Sequence, residues 1–425
     1  MSADSDVTIL KDVLIPGGRV SDITLSGGVV SHIGSSEGNG RIIRCNGKIV
    51  VPAAIDMHVH MRDGPQAQKE DWASGTRSAL AGGVTIVIDQ PNTIPSLTTP
   101  ERISDRIRLA TSQAYCQFGI NAGVTTDADL RGMWSAGAMA FGETFAGPSS
   151  YGEALPEDIL SRAMETVRDL GGLMTLHAEI VHAGDDTSLL THTGLRPPSG
   201  EKGAVSMTHR INTQGCRIHY CHVSSKEALD EIMRTNAGSI EVTPHHLFLS
   251  TSRFGDTDTR GKVNPPLRTE EDRRRLWECW DMIDVIASDH APHTVNEKNM
   301  PFIEAPSGIP GLETMVPLLM AEVINHRFPV TDLIEKTATN PARILGICPS
   351  GFEVGSRADF SIYPTDLTKI SADLLSSKAG WTPYEGMAGV FPEIVIMNGV
   401  SAYEHGEFPC RSPVWIKGRG YNPEA

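Results

Sequence analysis

The sequence predicts an α/β protein: a TIM-type (β/α)8 barrel with a small β domain built from both chain ends. Three observations predict it. Eight short apolar runs alternate with helical stretches through the middle of the chain, and hairpin-like texture recurs at both ends. Residues able to bind a metal recur where the eight runs stop. At 425 residues the chain exceeds one ordinary domain yet fits a single barrel with an appendage.

Residues 7 to about 50 alternate apolar runs with glycine-rich turns. Val7-Thr8-Ile9-Leu10, Asp22-Ile23-Thr24-Leu25 and Val29-Val30-Ser31-His32-Ile33 read as hairpin strands. Strand and helix then take turns, with buried-strand candidates at 49–58, 84–90, 115–121, 137–142, 172–177, 216–222, 239–243 and 283–289. Helical patterns lie between them, as at 226–234 and at 155–170, where Pro156 suits the first helical position. Eight such units close into a barrel whose active-site residues stand at the carboxyl ends of the strands. An open doubly wound sheet is the rival arrangement, but no G-x-G-x-x-G or Walker loop follows the first strand. Hairpin texture returns at Asp359-Phe360-Ser361-Ile362-Tyr363 and at Glu393-Ile394-Val395-Ile396-Met397, followed by Asn398-Gly399. Residues 1–50 and 348–425 are therefore expected to form the β domain, and 51–347 the catalytic barrel.

Composition narrows the function classes. Apolar residues make up 40% of the chain and charged residues 21%, which allows a large core and does not indicate disorder. A net charge of −15 argues against a nucleic-acid partner, though not against a small anion met by a local arginine and a metal. The seven cysteines are scattered with no C-x-x-C, as suits reduced thiols. No apolar stretch approaches the ~18 residues of a membrane span. The acidic start Met1-Ser2-Ala3-Asp4-Ser5-Asp6 is not a signal peptide. The expectation is a soluble, cytoplasmic protein.

The strand ends carry the chemistry. In Asp56-Met57-His58-Val59-His60-Met61-Arg62, alternation along a strand sends His58 and His60 to one side, with Arg62 following. Two such imidazoles can share a metal, and the arginine can hold an anion. The other ends are Asp89-Gln90-Pro91-Asn92, Gly142-Glu143-Thr144-Phe145, His177, Cys221-His222, Glu241 with His245-His246, and Ser288-Asp289-His290. One histidine in such a place is ordinarily a packed or surface residue; five strand ends delivering His or Asp point to a metal centre. Four histidines with carboxylates suit Zn²⁺, with Mn²⁺ or Co²⁺ compatible. The candidates exceed one tetrahedral shell, which favours two ions bridged by a carboxylate and a hydroxide. Such a pair lowers the pKa of bound water toward ~7 and polarises a carbonyl. Asp289 can ligate a metal and accept the hydroxide's proton as general base.

The succession Asp-x-His-x-His, His177, His222 and Asp289 resembles the amidohydrolase superfamily, and finer motifs resemble class I dihydroorotase. These are His58-Val59-His60-Met61-Arg62-Asp63, Gln90-Pro91-Asn92-Thr93, Glu143-Thr144-Phe145, Cys221-His222-Val223-Ser224 and Glu241-Val242-Thr243-Pro244-His245-His246-Leu247. Val263-Asn264-Pro265-Pro266-Leu267-Arg268, Ser288-Asp289-His290-Ala291-Pro292-His293-Thr294, the stretch 307–314 and Trp381-Thr382-Pro383-Tyr384-Glu385-Gly386 extend the match from about residue 50 to 400. The resemblance implies reversible, zinc-dependent cyclisation of N-carbamoyl-L-aspartate to (S)-dihydroorotate in pyrimidine synthesis. It also implies metal ligands at His58, His60, His177, His222 and Asp289, and carboxylate binding by Arg62, Asn92 and His293. An arginine fork matches a carboxylate bidentately. By the same resemblance Asn264 and the backbone at Ser307-Gly308 recognise the ring amide. Thr144 and Phe145 match the mobile loop, here 142–152, that covers substrate in some members. A homodimer is expected, with association with aspartate transcarbamoylase as a further possibility the family offers. His245, His246 and Glu241 read as structural, and Cys221 as a buried apolar cysteine.

One position departs from the pattern. Many members bridge their metals with a carboxylated lysine after strand four; Ala138 stands there, and no lysine occurs from residue 70 to 201. Other class I members place an aspartate a few residues later, and Gly137-Ala138-Met139-Ala140-Phe141-Gly142-Glu143 matches that context with glutamate. Glu143 is therefore the expected bridging ligand. A hydantoinase or allantoinase-type cyclic amidase is an alternative, but such enzymes generally lack the arginine after His-x-His and the second His of Asp-His-Ala-Pro-His. A non-catalytic scaffold of the same fold is the other, but scaffolds lose ligands that this chain retains.

Overall fold

The computed structural model describes residues 7–36, 39–146 and 155–423. The acidic start at 1–6 and most of the expected covering loop, 147–152, lie outside the described residues.

The N-terminal segment forms β1 (Val7–Ile15), β2 (Arg19–Ser26), β3 (Val29–Ile33) and β4 (Arg41–Arg44). They build one sheet in the order β3-β2-β1-β4, antiparallel except for the parallel β1–β4 pair. Next come β5 (Ile49–Pro52) and the first barrel strand, β6 (Ala54–Val59), so the expected strand 49–58 is two strands in two sheets. The chain changes sheets at Ala53, whose N–H bonds Asp359 while the N–H of Ala54 bonds Gly83. Periodicity cannot reveal this switch, because both strands are buried apolar runs.

The remaining barrel strands are β7 (Val84–Asp89), β8 (Gln117–Ile120), β9 (Phe141–Phe145), β10 (Met174–His177), β11 (Ile218–Tyr220), β12 (Ser239–Val242) and β13 (Val285–Ile286). All neighbouring pairs run parallel, β6-β7-β8 on one side and β9 through β13 on the other. Single bridges, Ala122 to Phe141 and Val59 to His290, close the circle. The fourth strand begins four residues later than the sequence suggests, because Gly137 (φ 100°) and Ala138 still belong to the turn that ends the preceding helix. Glu143 thus lies within β9 rather than after it. The helix Glu157–Asp169 starts two residues later than the expected stretch 155–170, with Pro156 just before its first turn instead of at its first position.

The C-terminal segment returns as β14 (Phe360–Tyr363), β15 (Thr368–Lys369), β16 (Ala388–Gly389), β17 (Ile394–Met397) and β18 (Val400–Glu404). β5 pairs with β14 in the sheet β18-β17-β14-β5, and Leu10, Ile23, Leu25 and Val30 pack in one core with Phe360, Ile362 and Ile396. Beyond β18 the chain leaves that domain. Val414 accepts from the N–H of Phe118 at 3.0 Å, and Ile416 donates to the Phe118 carbonyl at 2.7 Å. The tail therefore runs as an extra extended segment beside β8, and Gly418 bonds Gly137 ahead of β9.

Inside the barrel, Ile55 and Met57 pack with Ile86 and Ile88, while Val59 and Val87 pack in the outer layer with Trp72 and Leu80. The inward parity of β6 therefore reverses between Met57 and Val59. A register shift there sets three residues of β6 against two of β7, a bulge that re-aims the side chains after it. That bulge turns His58 and His60 toward the interior.

Candidate active site

His58 and His60 stand at the mouth of the barrel, 0% and 5% exposed. His58 is fixed from behind by the carboxylate of Glu241, 2.9 Å from its Nδ1, so its Nε2 points inward. Asn92 accepts from His60 Nδ1 at 2.6 Å, which assigns the proton to that nitrogen and turns His60 Nε2 inward too. Between them lies Asp289 Oδ1, 3.5 Å from His58 Nε2 and 3.1 Å from His60 Nε2. These three atoms form one potential ligand set.

Glu143 builds a second. Its Oε1 lies 2.8 Å from His177 Nδ1 and 2.6 Å from His222 Nε2, while Oε2 lies 3.7 Å from His58 Nε2. Glu179 faces the other nitrogen of His177 at 3.3 Å. Glu241 also accepts from the backbone N–H of His222 at 2.9 Å and pairs with His219 at 3.0 Å. One buried carboxylate therefore orients two of the candidate ligands, in line with its reading as structural.

Charge explains why these groups coexist without solvent. Burial alone would lower the His58 pKa, but Glu241 and Asp289 hold it well above the ordinary imidazole value. His177 is raised to about 10, its burial outweighed by Glu143 and Glu179. Glu143 is held well below the usual carboxylate range despite burial, by His177, His222 and His58. Such a cluster is suited to a divalent cation that replaces the imidazole protons. The donors fit one. Ligand bonds of about 2.0–2.2 Å in a tetrahedron set donors roughly 3.3–3.6 Å apart, and those around His58 and Asp289 lie 3.1–3.7 Å apart. His58 Nε2 is buried with no hydrogen-bond partner among the described residues, the mark of an atom meant for another ligand.

Above this cluster opens a cleft lined by His60, Arg62, Asn92, Glu143, Phe145, His177, Asn264, Asp289, Ser307 and Gly308, together with Val263 and Ala291. His58 and His222 lie beneath its floor, fully buried. Arg62 Nη2 is 3.3 Å from His293 Nε2, and its Nε donates to Pro292 at 3.4 Å. Burial, Arg62, Lys298 and Lys69 hold the His293 pKa well below the ordinary value, so its ring is neutral. Its Nε2 donates to the Ser307 carbonyl at 3.0 Å, leaving Nδ1 to accept from Lys69 at 3.3 Å. His293 thus ties the Ser307 backbone to Lys69, and with its Nε2 proton given to Ser307 it packs beside Arg62 without accepting from it. Gly308 has φ +141°, and a Cβ there would lie 2.6 Å from the Ala291 carbonyl and 2.9 Å from His293, so only glycine fits.

Phe145 packs its ring 4.8 Å from that of His177. Thr144 is buried beside Leu176 in the ladder and does not line the cleft, because alternation along β9 turns it away from Glu143 and Phe145. Asp89, grouped in the sequence with the metal-competent strand ends, instead pairs with Arg106 at 2.8 Å. His246 bonds Thr243 and Pro265, as suits a structural residue. Cys221 is buried, its thiol pushed up to about 12 by desolvation and by Glu241. Sequence reasoning passed over Glu179, although its place two residues after His177 on a strand end was a signal, and Arg106, which offered none.

The comparisons agree with this architecture. The amidohydrolase family model matches residues 49–391. The dihydroorotase of Methanosarcina acetivorans is 38% identical over 410 residues, covering 90% of this chain and 88% of its own. That of Halobacterium salinarum is 35% identical over 407 residues, covering 93% and 96%. Among solved structures, the L-hydantoinase of Arthrobacter aurescens superposes with a TM-score of 0.90 at 26% identity, covering 96% of this chain and 99% of its own. A D-hydantoinase from Bacillus sp. AR9 superposes at 0.87 with 22% identity, covering 96% and 98%, which speaks to the fold alone. No helix among the described residues is long and apolar enough to cross a membrane. With its barrel, its histidine and carboxylate cluster and these relatives, the chain belongs to the amidohydrolase family.

Proposed function

We propose that this protein is a dihydroorotase, interconverting N-carbamoyl-L-aspartate and (S)-dihydroorotate with two zinc ions. The observation that carries the reading is the placement of Arg62, with Asn92 in the same lining and His293 buried beside it, in the cleft that opens over the cluster of four histidines and two carboxylates. Dihydroorotase relatives along most of the chain support it. A cyclic amide with a ring carboxylate needs both halves of this site: a cation for the carboxylate and an activated water for the amide carbon.

A pair of divalent ions, when bound, supplies an activated water and polarises the scissile carbonyl. His58, His60 and Asp289 would hold one, His177 and His222 the other. Glu143, whose two oxygens face the two sets, supports a carboxylate shared between them. Arg62 binds the substrate carboxylate through charge-assisted hydrogen bonds and fixes the ring over Asp289. Asn264 and the backbone at Ser307-Gly308 meet the ring amide. Asp289 takes the proton from the attacking water and returns it to the departing ring nitrogen, and the reverse transfers close the ring. Its carboxyl is held below its ordinary pKa, chiefly by His58 and His60 against the burial, so it stands ionised to accept that proton.

The test is a spectrophotometric assay of dihydroorotate hydrolysis by the zinc-loaded protein. Turnover is expected to collapse in Arg62→Met, with kcat/KM falling about 100-fold or more, the effect of removing one partner of a buried charge pair. Wild-type activity on dihydroorotate that Arg62→Met leaves intact would refute the carboxylate clamp. Preferential hydrolysis of 5,6-dihydrouracil or hydantoin, which lack the carboxylate, would favour the hydantoinase alternative. On the same reading the enzyme works in the cytoplasm as a homodimer, with aspartate transcarbamoylase as the candidate partner. Sedimentation velocity with and without that enzyme tests both associations.

A further inference from the structure

The turn that carries Arg62 is held in a conformation that its own residues disfavour. Arg62, Asp63 and Gly64 have consecutive φ values of +50°, +63° and +55°. For the two non-glycine residues a positive φ is disfavoured, because it crowds Cβ against the backbone. Something outside the turn must hold it there. Met61 donates its N–H to Asp89 Oδ1 at 2.9 Å, just before the turn. The Arg62 carbonyl accepts from Arg106 Nη1 at 2.9 Å, and Arg106 Nε donates to Asp89 Oδ2 at 2.8 Å. Arg106 therefore joins the carbonyl of Arg62 and the carboxylate of Asp89 through one planar guanidinium. Its N–H groups reach both at once, a geometry that a lysine ammonium does not reproduce.

The placement is rigid. Asp89 ends β7 and is 0% exposed; Arg106, on the buried face of the helix Pro100–Gln113 with Ile103 and Ala110, is 6% exposed. Its guanidinium also lies 5.0 Å from the centre of the Trp72 ring. Neither Asp89 nor Arg106 lines the cleft. We infer that Arg106, with Asp89, is a positioning residue for the substrate carboxylate: it sets the backbone of Arg62, and so the aim of the guanidinium that distinguishes a carboxylate-bearing ring from a plain one. This rests on the proposal that Arg62 binds that carboxylate.

The experiment is a double-mutant cycle with Arg62→Met, Arg106→Lys and their combination, using zinc-loaded full-length protein. Two quantities are read: KM and kcat for dihydroorotate, and the calorimetric Kd of orotate, a planar carboxylate-bearing ring whose binding requires no turnover. Arg106→Lys is expected to raise KM and Kd about tenfold while kcat stays within about twofold, since a misplaced anchor weakens positioning more than the chemistry. In the Arg62→Met background the same change is expected to cost nothing further, because it acts through Arg62. Asp89→Asn, which keeps the shape and removes the charge, is expected to reproduce the loss, so the test stands if Arg106→Lys folds poorly. Unaltered KM and Kd in both variants, or an equal loss with and without Arg62, would overturn the positioning role. If Arg62→Met itself leaves KM and Kd unchanged, the carboxylate reading on which the role rests is overturned instead.

Discussion

At the scale of single residues, the site depends on how few atoms each ligand leaves undecided. His58 and His60 have their outer nitrogens occupied by Glu241 and Asn92, so their inner nitrogens are presented in one tautomer. Ligand histidines are tuned in this way by a hydrogen bond to the second ring nitrogen. Glu143 is the residue on which the metal count turns. On the proposed two-zinc site, Glu143→Ala is expected to retain about one zinc per chain against two in the native protein, with turnover lost. Metal analysis by mass spectrometry checks it, and two zinc ions retained in the variant would remove Glu143 from the bridging role. Shortening to aspartate is the subtler change: one methylene less moves the carboxylate away from His58, already its most distant partner at 3.7 Å.

At the scale of elements, two irregularities place the chemistry. The bulge in β6 reverses inward parity after Met57, so an unbroken strand would have buried His58 against the outer helices. The second is the tail beside β8. It supplies two backbone hydrogen bonds to Phe118 and one to Gly137, and Trp415 fills the space that Gly137 leaves open. Truncation after Ser412 removes all of these. With about 1 kcal/mol per hydrogen bond and some apolar burial, the melting temperature is expected to fall by about 5 °C or more. Differential scanning fluorimetry of the shortened protein reads it. Because Gly137 precedes the strand that carries Glu143, zinc retention is expected to weaken alongside. Unchanged melting and zinc content would show the tail to be a passive covering.

At the scale of the whole molecule, a buried carboxyl links the barrel to the segment that leads back to the β domain. Glu313 is 6% exposed and accepts from the N–H of Ser376 at 2.7 Å. Burial, with a smaller push from Glu70, raises its pKa from 4.5 to about 8, while Ser376 and Ser78 oppose the rise. Below pH 4.5 the carboxyl is protonated in both folded and unfolded chains, and its contribution to stability is full. Between there and about pH 8 the unfolded chain ionises while the folded one does not, so that contribution is lost as pH rises. Glu313→Gln keeps the shape without the titration. Its melting temperature is therefore expected to gain on the native protein steadily from pH 5 to pH 8 in paired thermal melts. A difference that does not vary with pH would show that Glu313 is paired and ionised when folded.

Much of this was legible in the sequence, and particular residues show where legibility ends. Alternating apolar runs and recurrent His and Asp at their ends identified the barrel, its order and the candidate ligands His58, His60, His177, His222 and Asp289, whose side chains the fold gathers at one end of the barrel, because these depend on local periodicity and residue chemistry. The β domain shared by the two chain ends was readable for the same reason. The change of sheet at Ala53 was not, since two consecutive buried strands look like one. The late start of β9, which places Glu143 inside the strand, depended on the turn at Gly137 and its contact with the distant tail. Arg106 lay within Pro100-Glu101-Arg102-Ile103-Ser104-Asp105-Arg106, an ordinary charged helix start. Only the fold carries its guanidinium back beneath Arg62. The sequence by itself determined which chemical groups are available; tertiary structure decided which nitrogen, which oxygen and which backbone angle faces the substrate. Those depend on contacts between residues far apart in the chain, such as Glu241 with His58 and Arg106 with Arg62, and no local pattern encodes them.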